Sequence, residues 1–412
     1  MKINDKILSC LAAKEDIYVS LLKSNLTKGE VVILGSKNHQ GIKHVGVGKD
    51  LRVKVNANIG VSSADFSLAK ELKKLKAAIE AGADAVMDLS VAGNSTDIDK
   101  VRNTIIKDCP QPVGTVPIYQ AVVESGSPEN MTIKDYLRVF ERHAKDGVDF
   151  VTVHAGITKA SLGMVRRRLI PVVSRGGSFL LDWMAKNKKE NFLYEYFDEI
   201  LDIAREFNVV ISLGDGLRPG CLADSTDRAQ IYELRVLGDL AMKAKSRGVQ
   251  VIIEGPGHIP LNEIKKNVEL EKKICHGAPF YVLGPLPIDT AAGYDHIACS
   301  IGGALAGYFG ADFLCYVTPK EHIGLPDAED VRQGVMITKI AASIADVARG
   351  NKKSILQNRL MSKARKNFDW AKMSKYAIDG RKFRELLRES PRLREGGCSM
   401  CGDEFCALRI YK

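Results

Sequence analysis

The sequence predicts a (β/α)8 TIM barrel with a small N-terminal lead-in and a C-terminal helical segment, and two observations carry that prediction. From about Leu51 to Thr318, β-branched runs alternate with helical stretches every roughly twenty to forty residues, the order of parallel βαβ units. Nearly every run is followed at once by polar or glycine residues, so reactive groups collect after many strands, as on a barrel rim. An open doubly wound sheet would concentrate them at one switch point.

Residues 1–50 read as a lead-in of mixed helix and strand. Within the barrel, 51–345, candidate strands are 52–58, 85–89, 114–118, 150–153, 170–173, 209–213, 249–253, 279–283 and 312–317. Nine runs are one more than the wall holds, so one of them lies outside it. Between the first two, Leu68, Leu72, Leu75 and Ile79 fall on one helical face with lysines opposite, and Gly82 ends the helix. Residues 297–318 mimic a membrane span. Asp312 and four glycines (Gly302, Gly303, Gly307, Gly310) make them instead a small-residue helix feeding a buried strand. Residues 346–412 are Lys- and Arg-rich helices without β-runs, closing on a cysteine loop.

With 45% hydrophobic and 27% charged residues in 412, the chain has the composition of a soluble globular protein. No basic stretch followed by an apolar one opens it, so a cytoplasmic location without membrane attachment is expected. Cys10, Cys109, Cys221, Cys275, Cys299 and Cys315 are scattered and read as reduced core or pocket residues. The net charge of +10 invites a nucleic-acid reading, but the cations recur along amphipathic helices and aromatics total 7%, without basic–aromatic interleaving. The densest cluster, 381–394, alternates with glutamates and reads as a solvated helix face. A small anionic substrate explains the surplus, and no nucleic-acid partner is expected.

Cys398, Cys401 and Cys406 stand in CSMCGDEFC, preceded by Gly396 and Gly397. Thiolates this close repel one another unless a metal neutralises them. Zinc would need a fourth ligand, and no histidine follows His322. A [4Fe–4S] cluster on three cysteines instead leaves one iron open to a substrate or S-adenosylmethionine. A zinc knuckle and redox thiols are the alternatives.

SRGGS (Ser174, Arg175, Gly176, Gly177, Ser178) and GDGLRPG (from Gly214, with Asp215 and Arg218) both follow candidate strands. Their backbone N–H groups, the Ser174 hydroxyl and the Arg218 guanidinium suit a phosphate, although each motif alone reads equally as a tight turn. EGPGH ends one run with Glu254 and His258, and PKEHIG ends a later one with Glu321 and His322. Two imidazoles from different strand ends can share a divalent metal, or each can serve as an acid, base or rim residue. GYDH adds Tyr294, Asp295 and His296 as candidate proton carriers beside Glu254, and His154 also ends a run. His39, His44, His143 and His276 lack such a context and read as structural or exposed.

NANIG, MDLS, GTVPIYQA, SRGGS, SLGDGLRPGC, EGPGHIP, APFYVLGPL, CYVTPKEHIGLP and the cysteine tail together resemble the phosphomethylpyrimidine synthase (thiamine pyrimidine synthase) superfamily. The resemblance covers residues 45–370 and the tail. It implies a TIM-barrel radical S-adenosylmethionine enzyme, a carbon–carbon lyase whose [4Fe–4S] cluster sits on a mobile C-terminal loop held by Cys398, Cys401 and Cys406. It implies that Asn58, Met87, Tyr119, His154, Ser174, Arg175 and Gly176 surround 5-aminoimidazole ribotide, with Asp215, Gly216, Leu217, Arg218, Glu254 and Tyr281 completing the set. It implies a divalent metal, expected to be zinc, on His258 and His322, a homodimer, and a flavodoxin- or ferredoxin-type reductant.

The chain departs from the thiamine pattern at 90–97 (SVAGNSTD for STGGD), at Ala155 (HAG for HCG) and at 288–296 (IDTAAGYDH for TDIAPGYDH). The first fifty residues diverge as well. Because the internal changes follow strands, the sequence places 5-hydroxybenzimidazole synthase, which makes the cobalamin lower ligand from the same ribotide, ahead of the thiamine enzyme. The thiamine pyrimidine product is the alternative.

Overall fold

The structure is a computed structural model describing residues 4–390, 398–402 and 404–410. It divides into two compact units, Met1–Ala345 and Asp346–Lys412.

The first unit holds a closed barrel of eight parallel strands. Two strands precede the wall, β1 (Val31–Leu34) and β2 (Val45–Gly48), paired antiparallel as a hairpin. The wall is β3 (Lys54–Ile59), β4 (Ala85–Asp88), β5 (Val113–Thr115), β6 (Phe150–Val153), β7 (Val210–Leu213), β8 (Val251–Gly255), β9 (Phe280–Leu283) and β10 (Phe313–Cys315). β10 closes on β3 with Phe313 beside Lys54 and Cys315 beside Asn56. These strands are almost wholly buried, which is why they read as continuous apolar runs.

The run 170–173 is the surplus candidate, and it lies outside the wall. It forms no strand: Ile170 and Val173 are 36% and 41% exposed. The N–H groups of Leu169 and Ile170 donate to the Asp224 carboxylate, which replaces a neighbouring strand as acceptor. Candidate 114–118 is split, since β5 stops at Thr115 and a helix (Pro117–Ser125) starts with proline in its first turn.

The helix Leu68–Ala81 follows its sequence pattern, with Ser67 as N-cap and Gly82 in the left-handed conformation as C-cap. The apparent membrane span resolves into the helix Asp295–Phe309 and β10. A Cβ on Gly302 would lie 2.1 Å from the Pro285 carbonyl oxygen, so glycine there permits the close helix–loop approach. Among the described residues, no helix is long and apolar enough to cross a membrane.

Residues two apart on a strand share a face, which gives the barrel interior two levels. Lower down, Phe150 of β6 contacts Phe313 of β10 (ring centroids 6.3 Å), and Phe313 packs on Tyr281 at 4.5 Å. β6 and β10 are four strands apart in the wall, so this contact crosses the barrel. Two residues further on, the same strands present Thr152 and Cys315, and an apolar floor gives way to a polar mouth. Below the floor, the hairpin is tied on by Asp149, which accepts from the Ser36 N–H and contacts His39 at 2.7 Å. His39 and His143 are buried structural histidines; His143 sits against Thr115 and Gln120.

The second unit contains the helices Lys352–Lys366, Trp370–Tyr376, Gly380–Glu389 and Ala407–Ile410. Arg381 and Glu385 pair one turn apart on the third, the solvated pattern expected of the basic cluster as far as residue 390; residues 391–394 of that cluster lie outside the described residues.

Candidate active site at the barrel mouth

A cavity of about 100 Å³ opens where the strands end. Its wall brings together nine of the residues expected there from sequence: Asn58, Met87, Tyr119, His154, Ser174, Asp215, Arg218, Glu254 and Tyr281.

Glu254 sits at the end of β8, its carboxylate held by Ser212 at 2.7 Å and Thr152 at 2.8 Å. Burial raises its pKa, countered by those two hydroxyls and by the Arg218 charge. Asp215 and Arg218 meet at 3.2 Å. Burial dominates at Asp215 and, despite the guanidinium, pushes its carboxyl up to about 8, with Glu254 adding repulsion. Asp215 Oδ2 and Arg218 Nε are buried without a hydrogen-bond partner.

Ser174 caps the helix Arg175–Asn187: its hydroxyl accepts from the Gly177 N–H at 3.1 Å and lies 3.2 Å from His154 Nε2. His154 Nδ1 is buried and unpartnered. Burial and the Arg218 charge hold His154 neutral, with its pKa down at about 3. Gly176 makes the approach possible, since a Cβ there would fall 2.3 Å from the imidazole. Arg175 lies over the Tyr119 ring at 5.1 Å. Opposite, Asn56 donates to both Tyr281 (2.7 Å) and Asn58 (2.8 Å), and Asn58 donates to Cys315 Sγ at 3.1 Å.

Gly216 and Leu217 do not line the cavity; the Leu217 N–H donates to the buried carboxylate of Glu233 at 2.8 Å. The other expected proton carriers also lie off the cavity. Tyr294 is 66% exposed, while Asp295 and His296 are buried in the first turn of the helix they begin.

His258 and His322 are brought together with ring centroids 5.3 Å apart. A zinc–nitrogen distance of about 2.0–2.1 Å plus a ring radius of about 1.1 Å puts two imidazoles on a tetrahedral ion about 5 Å apart, so the pair fits one metal. His258 Nδ1 is 2.8 Å from Asp289 Oδ1, which leaves Nε2 with its electron pair for the ion. His322 holds its place with a left-handed backbone, φ 61°. Among the described residues no third His, Cys, Asp or Glu joins them, so water or substrate would complete the shell.

Of the tail cysteines, Cys398 and Cys401 are exposed and Cys406 is buried, all as free thiols. The Met400 N–H points at Cys398 Sγ at 3.4 Å. Among the described residues the three are not gathered into a metal-holding group. Their chemistry still fits a cluster: three soft donors and an amide N–H directed at sulfur. Gly396 and Gly397 lie outside the described residues. Of the other six cysteines, Cys10 is exposed and five are buried, so the core-or-pocket expectation fails at Cys10.

Sequence reasoning missed Thr152, Ser212 and Glu233; Cys315 lines the cavity as a reduced pocket thiol, as expected. The signal for the first two was a single polar residue inside an apolar run, in FVTVH and VISLG.

The profile of the Radical SAM ThiC family matches residues 2–412. The chain is similar to the phosphomethylpyrimidine synthase of Caldanaerobacter subterraneus subsp. tengcongensis, 52% identical over 98% of this chain and 94% of that one. The enzyme of the same name from Moorella thermoacetica is 52% identical over 97% and 93%. That of Geobacter metallireducens is 47% identical over 99% and 94%.

Proposed function

The chain belongs to the radical SAM ThiC family, and from that premise we propose that it converts 5-aminoimidazole ribotide to 4-amino-2-methyl-5-phosphomethylpyrimidine for thiamine biosynthesis. Membership makes it an enzyme of the radical S-adenosylmethionine type, using S-adenosylmethionine and an iron–sulfur cluster.

One observation carries the substrate reading. Three cavity-wall residues each hold a buried polar atom without a protein partner: His154 Nδ1, Asp215 Oδ2 and Arg218 Nε. Each such atom costs about 1–3 kcal/mol until matched, so the site awaits a guest with several donors and acceptors. An aminoimidazole ring supplies both kinds in the volume available. The phosphate falls to Arg218, the Ser174 hydroxyl and the N-terminus of the helix Arg175–Asn187.

Cys398, Cys401 and Cys406 would hold the cluster, which with S-adenosylmethionine would supply the radical chemistry that starts the rearrangement. The chain's own residues position. Glu254, aimed by two wall hydroxyls, fixes the substrate face; neutral His154 offers Nδ1 to the substrate without adding charge; Asn58, Met87, Tyr119 and Tyr281 exclude water from the reacting carbon. His258 and His322 would hold a divalent metal, with zinc as the fitting ion, against the substrate. A homodimer and a flavodoxin- or ferredoxin-type reductant complete the reading.

The sequence places 5-hydroxybenzimidazole first, and that order is reversed here. Relatives of 47–52% identity carry the thiamine enzyme's name. The departures that motivated the other product also stand away from the cavity. Asn94 and Asp97 form a capping box on the helix Ser95–Asp108, Ala155 is buried off the cavity wall, and Thr290 and Ala292 are exposed. Rescue of a thiamine auxotroph that requires the pyrimidine tests the proposal. Growth is expected; no growth with the protein soluble and cluster-loaded would overturn it.

A further inference from the structure

The connection between β9 and the helix Asp295–Phe309 carries an aspartate that joins two parts of the site. Asp289 Oδ1 lies 2.8 Å from His258 Nδ1, and Asp289 Oδ2 accepts the Leu222 N–H at 2.9 Å. Leu222 begins the turn that follows the Asp215–Arg218 loop. That turn is pinned at its other end, where Asp224 accepts the Leu169 and Ile170 N–H groups. His322 has a weaker counterpart in Asp295, at 3.6 Å and beyond hydrogen-bond reach.

We propose that Asp289 is a positioning residue for the metal site: it keeps the proton on His258 Nδ1, turns Nε2 toward the ion, and ties that imidazole to the loop bearing Asp215 and Arg218. The proposal rests on the reading of His258 and His322 as metal ligands. A carboxylate is the side chain the place requires. Two donors arrive on two separate oxygens, and an amide could accept from one while its NH₂ faced the other. An anionic acceptor also makes the imidazole a better ligand.

The His258 backbone is held independently. The Leu286 N–H donates to the Gly257 carbonyl at 2.7 Å, and the Ile259 N–H to the Leu286 carbonyl at 3.2 Å. Losing the Asp289 carboxylate therefore frees the ring and leaves the chain in place.

The test is zinc(II) affinity of the full-length metal-free protein, by competition with a chromophoric chelator, for wild type, Asp289→Ala, Asp289→Asn and His258→Ala. Wild type should bind one zinc at this pair and His258→Ala should lose it. Asp289→Ala should bind about 10–100-fold more weakly, with Asp289→Asn between it and wild type. Should the alanine variant fail to fold, the asparagine variant carries the same comparison. In the cobalt(II)-loaded form, Asp289→Asn should shift the ligand-field bands at full occupancy, which a merely structural role would leave unmoved. Zinc affinity within about two-fold of wild type in both Asp289 variants would overturn the positioning role alone. Equal binding by wild type and His258→Ala would overturn the metal reading, and the proposal with it.

Discussion

Ser212 on β7 donates to Glu254 Oε1 on β8 at 2.7 Å, and Thr152 on β6 reaches the same oxygen at 2.8 Å. The carboxylate is therefore aimed by the barrel wall, whose strands have the least freedom to move. Hydrogen bonds to a charged group contribute about 1.5–3 kcal/mol, so Ser212→Ala and Thr152→Val should each lower kcat/KM by about 10–100-fold. Anaerobic steady-state kinetics check this; wild-type kcat/KM in both variants would show that the hydroxyls do not aim Glu254.

His154 sets an acid limit on stability. Burial and Arg218 hold its pKa at about 3, against an ordinary 6.5. A group whose folded pKa is depressed takes up its proton more readily when unfolded, so the stability it confers is intact above about 6.5 and fades as pH falls toward about 3. His154→Gln should flatten the dependence of the melting temperature on pH across that window. Melts at stepped pH measure it, and an unchanged slope would mean the imidazole is solvated.

Arg168 braces the anion loop from behind. Its side chain is 1% exposed, binds Asp227 through Nε (2.8 Å) and Nη2 (2.7 Å), and donates to the Leu217 carbonyl at 2.7 Å. Removing one partner of such a pair costs about 3–5 kcal/mol when the other is left buried, and somewhat less here because Asp227 is partly exposed. Arg168→Ala should lower the denaturant midpoint accordingly, with loss of ribotide affinity as the loop relaxes. A midpoint equal to wild type would remove the brace.

Gly176→Ala tests the closeness of the capping turn to the imidazole. The added methyl would lie 2.3 Å from His154, so ring or helix must shift. Helix propensity favours alanine by roughly 1 kcal/mol, so stability should change little while KM for the ribotide rises at least ten-fold. Isothermal titration with the ribotide separates the two effects; unchanged affinity would place His154 outside the binding face.

Much of this site was legible in the sequence because its residues stand where apolar runs break into glycine-rich turns. Asp215, Arg218, Glu254 and His258 announce themselves this way. Thr152 and Ser212 do not, since they sit inside strands and their role depends on three neighbouring strands facing two hydroxyls and a carboxylate inward at one height. Asp289 was hidden for a different reason: its contacts to His258 and Leu222 join three separate loops, and no local pattern encodes them. The run 170–173 has β-branched residues but no wall position: the Ile170 N–H goes to Asp224, and Pro171 has no N–H to give a neighbouring strand. The departures at 90–97 looked functional because they follow a strand. In space they are largely a helix cap.

Anaerobic turnover of 5-aminoimidazole ribotide with cluster-loaded protein, reductant and S-adenosylmethionine, followed by mass analysis of the organic product, tests the central claim most directly. The account predicts 4-amino-2-methyl-5-phosphomethylpyrimidine, with the phosphate retained. A product lacking phosphate and carrying the fluorescence of 5-hydroxybenzimidazole would contradict it.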